Sequence, residues 1–307
     1  MNLPAGRLTG VIPPVCTPLT PDGAVDTRSL VRLVDHLAGA GVDGLFVLGS
    51  SSEAAYLTDH QRRLVVETVV RHVAGAIPVL AGAIDMTTPR VLDHAETALA
   101  AGADAVVATA PFYARTHPAE IARHFQRIAK EIGAPLVAYD LPSSVHSKLD
   151  ADLVLDLAAD GTLVGLKDSS GDQATLRTIA ISAPTGFSVL TGSELLVDTA
   201  LLLGAHGVVP GLGNVDPHGY VRLVKHATAG EWGRARAEQE RLLGLFGMVD
   251  AAPPARMGRG SAAIGAFKAA LRLRGVIDHA TTAEPQIPLT DDEVALVAQR
   301  LTAAGLG

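Results

Sequence analysis

The sequence predicts an α/β chain, a (β/α)8 TIM barrel followed by an all-helical C-terminal extension. Three observations predict it. Over residues 10–209, eight short runs rich in Val, Ile and Leu alternate with longer helix-like segments, the pattern of βα units. The runs are apolar nearly throughout, as strands covered on both faces of a parallel sheet are. Beyond Asp216 the runs stop and only helical patterns remain. Eight units select a closed barrel over an open doubly wound sheet, and 307 residues are enough to build one.

The predicted strands are Gly10–Val15, Gly44–Leu48, Ile77–Ala81, Ala105–Ala108, Leu136–Tyr139, Leu163–Leu166, Ser188–Leu190 and Gly207–Val209. Between them the helical spacing covers Ser29–Ala40, Asp59–Ala74, Pro89–Ala101, Pro118–Glu131, Ala151–Ala159, Gln173–Ser182 and Glu194–Leu203. Ala40-Gly-Val-Asp-Gly, Ala101-Gly-Ala-Asp-Ala and Gly204-Ala-His-Gly repeat one form, a helix end, a short turn and a strand. Glycine just past a helix end accepts the left-handed conformation of the cap. The last four helices are predicted at Pro217–Ala229, Glu231–Val249, Ser261–Gly275 and Asp291–Ala303, the last opened by a Thr290/Glu293 capping box. Residues 276–291 read as a connecting loop. The expected organisation is a barrel over 1–215 and a helical region over 216–307 packed on it, with no Pro-, Gly- or Ser-rich linker between them.

Composition excludes several classes. A formal net charge of −7 without any Lys/Arg block argues against nucleic acid, which needs a concentrated basic face. The single cysteine, Cys16, leaves no internal disulfide and fits a reducing compartment. Met1–Arg7 lacks the basic and apolar regions of a signal peptide. No apolar run approaches about 20 residues, so no membrane span is expected. A cytoplasmic protein is the default.

The chemistry is sought at the C-terminal ends of barrel strands, where such folds carry it. There are five lysines. Lys130, Lys225 and Lys268 fall in helical patterns, where a solvated surface position is expected. Lys148 lies in a loop, solvated or helping to bind an anion. Only Lys167, in Gly161-Thr-Leu-Val-Gly-Leu-Lys167-Asp-Ser-Ser-Gly171, closes a buried strand. Partly apolar surroundings disfavour the charged form of a lysine and make it a nucleophile toward carbonyl carbon. The alternative is a structural ion pair with Asp168 or Glu194. Tyr139 ends the preceding strand, where a phenol beside a lysine can relay protons or can simply be a buried tyrosine with a hydroxyl partner.

Gly49-Ser-Ser-Ser-Glu53 follows the second strand. Its hydroxyls and N–H groups can hold a carboxylate, or it is a serine-rich turn with Glu53 in the first turn of a helix. Pro111-Phe-Tyr113 follows the fourth strand, to cover a pocket or to pack in a core or interface. The eleven histidines show no metal-ligand spacing, so no metal is expected. Neither a Gly-x-Ser-x-Gly elbow, a phosphate-binding loop nor a dinucleotide fingerprint is present.

Taken together these motifs resemble the family of dihydrodipicolinate synthase and N-acetylneuraminate lyase, the Schiff-base pyruvate aldolases, over about Gly10 to Leu301. Gly10-Val-Ile-Pro-Pro-Val-Cys-Thr-Pro18 resembles the family's first strand. Gly49–Glu53 is similar to its Gly-[Ser/Thr]-[Ser/Thr]-Gly-Glu turn, and Pro111-Phe-Tyr113 to its Pro-[Tyr/Phe]-Tyr segment. Tyr139-Asp-Leu-Pro142 resembles Tyr-Asn-x-Pro, and Gly165-Leu-Lys167 the Schiff-base segment.

The resemblance implies roles. Lys167 forms an imine with C2 of pyruvate, and Tyr139 shuttles the proton that makes and unmakes it. Ser50 and Ser51 hold the pyruvate carboxylate. Ser50 also links Tyr139 to Tyr113, which in the family reaches in from a neighbouring subunit. Gly192 and Val209 line the methyl group and imine. No cofactor is implied, since an iminium acidifies C3 unaided. The implied partners are pyruvate, a small aldehyde or keto acid, and further copies of the chain, as a dimer or tetramer.

Departures bear on the second substrate. Ser52 and Asp140 replace a glycine and an asparagine. Phe112 stands where lysine-regulated synthases have tyrosine. Ser144 stands where dihydrodipicolinate synthases carry the arginine that grips the second substrate's carboxylate, and serine supplies no such clamp. A pocket of Ser143, Ser144 and His146 suits hydroxyl-rich acceptors such as 2-keto-3-deoxy sugar acids. The expected activity is a pyruvate aldolase or lyase of that kind. The alternatives are 4-hydroxy-tetrahydrodipicolinate synthesis, a dehydratase using the same imine, and a non-catalytic ligand-binding barrel.

Overall fold

A computed structural model describes residues 7–307. The reading of the opening segment as no signal peptide falls on residues 1–6, outside the described residues, apart from Arg7. Eight parallel strands form one curled sheet in the order β1-β8-β7-β6-β5-β4-β3-β2. They are β1 Gly10–Val11, β2 Leu45–Val47, β3 Val79–Gly82, β4 Ala105–Thr109, β5 Leu136–Asp140, β6 Gly165–Asp168, β7 Ser188–Thr191 and β8 Gly207–Val208.

The first strand is shorter than predicted because Pro13 and Pro14 interrupt it. Proline has no N–H to give to a ladder, but its carbonyl still accepts. Phe46 N donates to Pro13 O at 3.0 Å, and Val15 N to Phe46 O at 2.8 Å. With the Pro14–Phe46 bridge these bonds join β1 to β2 and close the barrel.

Helices α1 Thr27–Gly39, α2 Asp59–Val73, α3 Thr88–Ala100 and α4 Pro118–Ile132 surround the first half. A four-residue helix, α5 Pro142–Val145, was not predicted. It is followed by α6 Ala151–Ala159, α7 Gln173–Ser182 and α8 Val197–Leu202. The eighth helix starts three residues later than the spacing suggests. Gln239 Oε1 accepts from Val197 N at 2.9 Å and takes the place of a local cap. Residues 192–196 are thereby left as irregular backbone at the strand end.

The extension contains α9 Pro217–Thr228, α10 Trp232–Phe246, α11 Arg259–Leu273 and α12 Asp291–Ala303. The predicted helix Glu231–Val249 ends at Phe246 and continues as a 3-10 turn over Gly247–Asp250. The Thr290/Glu293 capping box forms. Residues 276–290 are a loop, as expected, crossing the barrel face.

Inside the barrel lie Ile12, Phe46, Leu80, Val107, Val137, Tyr139, Leu190 and Val209. A larger apolar layer fills the space between strands and helices and runs without a break into the extension, joining Leu30, Val47 and Val65 to Leu242, Phe267 and Val297. Burial of that shared layer is what holds residues 216–307 to the barrel.

Candidate active site

Lys167 lies within β6 rather than just after it, since the strand extends to Asp168. Register brings Tyr139 of β5 beside it on one side and Leu190 of β7 on the other. The lysine is 5% exposed and the tyrosine 3%. Lys167 Nζ stands 3.9 Å from the Tyr139 ring centroid and 4.9 Å from that of Phe46. Phe46 meets Tyr139 edge-on, with the rings at 85°. Among the described residues Lys167 makes no ion pair with Asp168 or Glu194. Its amine lies instead over two aromatic faces.

Burial alone pushes the Tyr139 phenol up. The charge of Lys167 and hydrogen bonding with Ser50, Lys167 and Ser169 outweigh it, and the net shift is below the ordinary phenol value. The Ser50 Oγ to Tyr139 Oη distance is 3.4 Å. The serine turn thus comes within hydrogen-bond distance of the phenol. Ser169 was missed by sequence reasoning because it lies in an ordinary polar turn.

The turn departs from the reading that puts Glu53 in the first turn of a helix. Residues 49–57 are not the start of a helix, and α2 begins only at Asp59. Ser52 needs no left-handed backbone. It is fully buried, its hydroxyl donates to Val15 O, and Gly49 N donates to that hydroxyl at 3.2 Å. The positive φ values fall instead on Leu48 (58°) and Glu53 (59°). Serine in place of the family's glycine thus closes the turn without strain in its own backbone. Ser50 is exposed and Ser51 half-buried.

Gly192 packs against the lysine. A Cβ there would stand 3.2 Å from Lys167 Cε and would collide with Ser169 Oγ. Gly211 lies between the serine turn and Glu194. A Cβ on it would meet Phe267 at 2.9 Å, Ser51 Oγ at 3.1 Å and Glu194 Oε1 at 3.5 Å. Val209 is 3% exposed and faces the barrel interior with Leu190. Lys167, Tyr139, Ser50, Ser51, Gly192 and Val209 thus gather at the C-terminal mouth of one barrel.

Glu194 was expected inside a helix. The late start of α8 leaves it at this mouth, where Oε1 accepts from Leu212 N. Burial pushes its pKa up to about 7, against hydrogen bonds from Leu212 and Gly211 and the charge of Lys167. Nothing local in the sequence signals this, because the cap responsible sits on Gln239, 45 residues away in sequence.

Two lysines differ from expectation. Lys148 is not simply solvated. Its ammonium pairs with the buried Asp140 and donates to Leu149 O at 2.9 Å. Burial nevertheless holds the Asp140 carboxyl above its ordinary value, against Lys148 and the Leu149 N–H. Lys268 is not on the surface at all: it is fully buried and paired with Glu53.

The remaining predicted residues do not touch the lysine within one chain. Ser143, Ser144 and His146 are exposed, on or just after α5, where His146 adopts φ 59°. Tyr113 is 92% exposed with φ 79°. Among the described residues no three His, Cys, Asp or Glu side chains cluster closely enough to hold a metal ion, and no helix is long and apolar enough to cross a membrane.

Residues 7–304 match the model of the dihydrodipicolinate synthetase family. An uncharacterized DapA-like lyase of Halobacterium salinarum is 34% identical over 299 residues, covering 97% of this chain and 95% of its own. A 4-hydroxy-tetrahydrodipicolinate synthase of Laribacter hongkongensis is 34% identical over 238 residues, covering 78% and 82%. Among solved structures, YagE, a prophage protein of E. coli K12 crystallised with pyruvate, superposes with a TM-score of 0.90 at 30% identity, covering 98% of this chain and 99% of its own.

Proposed function

This chain belongs to the dihydrodipicolinate synthetase family and is a lyase, and from that premise we propose that it makes or cleaves a carbon–carbon bond between pyruvate and an aldehyde through an imine on Lys167. The observation that carries the reading is the register pair Tyr139–Lys167, with the amine over the phenol ring at 3.9 Å. The lysine amine attacks C2 of pyruvate and water leaves. Tyr139 passes the protons of that exchange, and its lowered pKa suits a group that must both give and take. The iminium makes C3 acidic, and its proton passes through Tyr139 to water. C3 of the resulting enamine attacks the aldehyde carbon while the aldehyde oxygen takes a proton from Tyr139; water then hydrolyses the new imine and frees Lys167. Cleavage is the same path reversed. Ser50 and Ser51 hold the pyruvate carboxylate in this reading, and Gly192 and Val209 line its methyl end.

The aldehyde partner in this proposal is that of a 2-keto-3-deoxy sugar acid. Ser144 supports it, offering a hydroxyl where a carboxylate clamp would need a guanidinium. A second reading, 4-hydroxy-tetrahydrodipicolinate synthesis from aspartate semialdehyde, is favoured by the likeness to the Laribacter synthase. The proposed setting is a cytoplasmic dimer or tetramer.

Borohydride reduction in the presence of pyruvate, followed by peptide mass analysis, is expected to modify Lys167. An unmodified Lys167, under conditions that label a control aldolase, would overturn the imine reading. Turnover of deoxy sugar acids is expected to exceed that of the semialdehyde. The reverse order selects the second reading.

A further inference from the structure

Glu53 and Lys268 form an ion pair in which both side chains are 0% exposed. Glu53 ends the serine turn and Lys268 lies in α11 of the extension, more than two hundred residues away in sequence. The pair is bonded further on the extension's side. Glu53 Oε1 accepts from Ala283 N at 2.7 Å and from Gln286 Nε2 at 2.9 Å. Lys268 Nζ donates to Thr281 O at 2.7 Å. The loop between α11 and α12 is thus fastened to Glu53 and Lys268 at three points.

On the barrel side Glu53 controls a strained backbone. Its φ of 59° is uncommon for a residue with a side chain. Its N–H donates to Ser50 O at 3.0 Å, and Ser52 and Ala54 both bond back to Gly49 O. Such conformations persist only where surroundings over-determine them. Stability alone is a poor account of the pair, because two apolar residues of similar size bury at no desolvation cost. Directional bonds from a fixed carboxylate can instead hold the turn in one geometry.

We propose that Glu53 and Lys268 are positioning residues, through which the C-terminal loop sets the turn that presents Ser50 and Ser51 to the carboxylate of a 2-keto acid. The inference rests on the reading of those serines given above. Neither member of the pair touches the reacting atoms. Their effect is on how tightly the keto acid is held before the imine forms.

The test uses the full chain with Gln286→Leu, Glu53→Gln, and the double variant Glu53→Gln/Lys268→Met, which leaves no unpaired buried charge. Two quantities are read: the pyruvate concentration giving half-maximal borohydride labelling of Lys167, and backbone hydrogen exchange in peptides spanning 49–57. Glu53→Gln and the double variant are expected to raise half-saturating pyruvate by about ten-fold or more, and Gln286→Leu by about three- to ten-fold. Labelling at saturation should stay near the parent level. Exchange should quicken in 49–57 and not in β5 or β6.

A purely structural role would lower the labelled fraction at saturation and leave half-saturation within two-fold of the parent, and that result would overturn the proposal. If Glu53→Gln does not fold, the other two variants carry the same expectations and the same refutation. If the parent forms no pyruvate imine, the reading of the site fails by itself. Exchange then decides the tie alone, and unchanged exchange in 49–57 would refute it.

Discussion

A carboxylate that feels the charge of Lys167 ties behaviour to pH, and Glu194 is that carboxylate. Its folded pKa of about 7 lies above its ordinary 4.5, so the folded state prefers Glu194 protonated. The resulting stabilisation is fully present below about pH 4.5 and is lost as pH rises through about 7. The shift corresponds to at most about 3 kcal/mol, a ceiling because the side chain is only half-buried. Glu194→Gln keeps an oxygen to accept from Leu212 N while removing the titration. Urea unfolding at a series of pH values should show the parent losing up to about 3 kcal/mol relative to the variant between pH 4.5 and 8. A constant difference across that range would mean that Glu194 is not held protonated. Lys167 and Tyr139 were legible in the sequence because each is the polar end of an apolar run. Glu194 and Lys268 were not, because what buries them comes from far along the chain. Helical spacing describes a residue's own turn and is blind to a partner such as Gln239 or Glu53.

At the scale of elements, strands were legible and their ends were not. Apolar runs identify the part of a strand that is covered on both faces, but β5 and β6 continue through Asp140 and Asp168, polar residues that the barrel mouth also buries. The same misreading hid α5. Asp140 accepts from Leu149 N at 3.2 Å and pairs with Lys148, so the whole segment 141–149 is fastened back onto the end of β5. That fastening carries Ser143 and Ser144 on the short helix and leaves residue 144 exposed, where it can be replaced without disturbing the core. Ser144→Arg introduces a guanidinium on an exposed position at little cost in stability. It should shift the ratio of kcat/KM values toward aspartate semialdehyde and away from deoxy sugar acids by about ten-fold or more. Pyruvate labelling of Lys167 should be unaffected, since Lys167 lies in β6 and residue 144 on the short helix α5. If both substrates respond equally to the substitution, residue 144 does not contact the second substrate, and the argument for hydroxyl-rich acceptors loses its footing.

At the scale of the whole molecule, Tyr113 stands out by its exposure. A large aromatic side chain, 92% exposed on a backbone at φ 79°, holds an uncommon conformation with little contact from its own chain. Insertion into a neighbouring copy would supply the contact, and the proposed oligomer would then be a condition of activity. Mixing experiments decide this. Lys167→Ala removes the nucleophile, and Tyr113→Phe removes the hydroxyl proposed to meet Ser50. If each site takes its lysine from one chain and its tyrosine from the next, a mixed two-fold pair holds one intact site and one doubly defective site. Random pairing of equal amounts puts half the dimers in that mixed class, so about a quarter of all sites should regain full activity after joint refolding or co-expression. If Tyr113 acts only within its own chain, the mixture can do no better than the average of its two parents, whatever the state of assembly. Recovery clearly above that average would therefore show both that the chain assembles and that assembly completes the catalytic machinery.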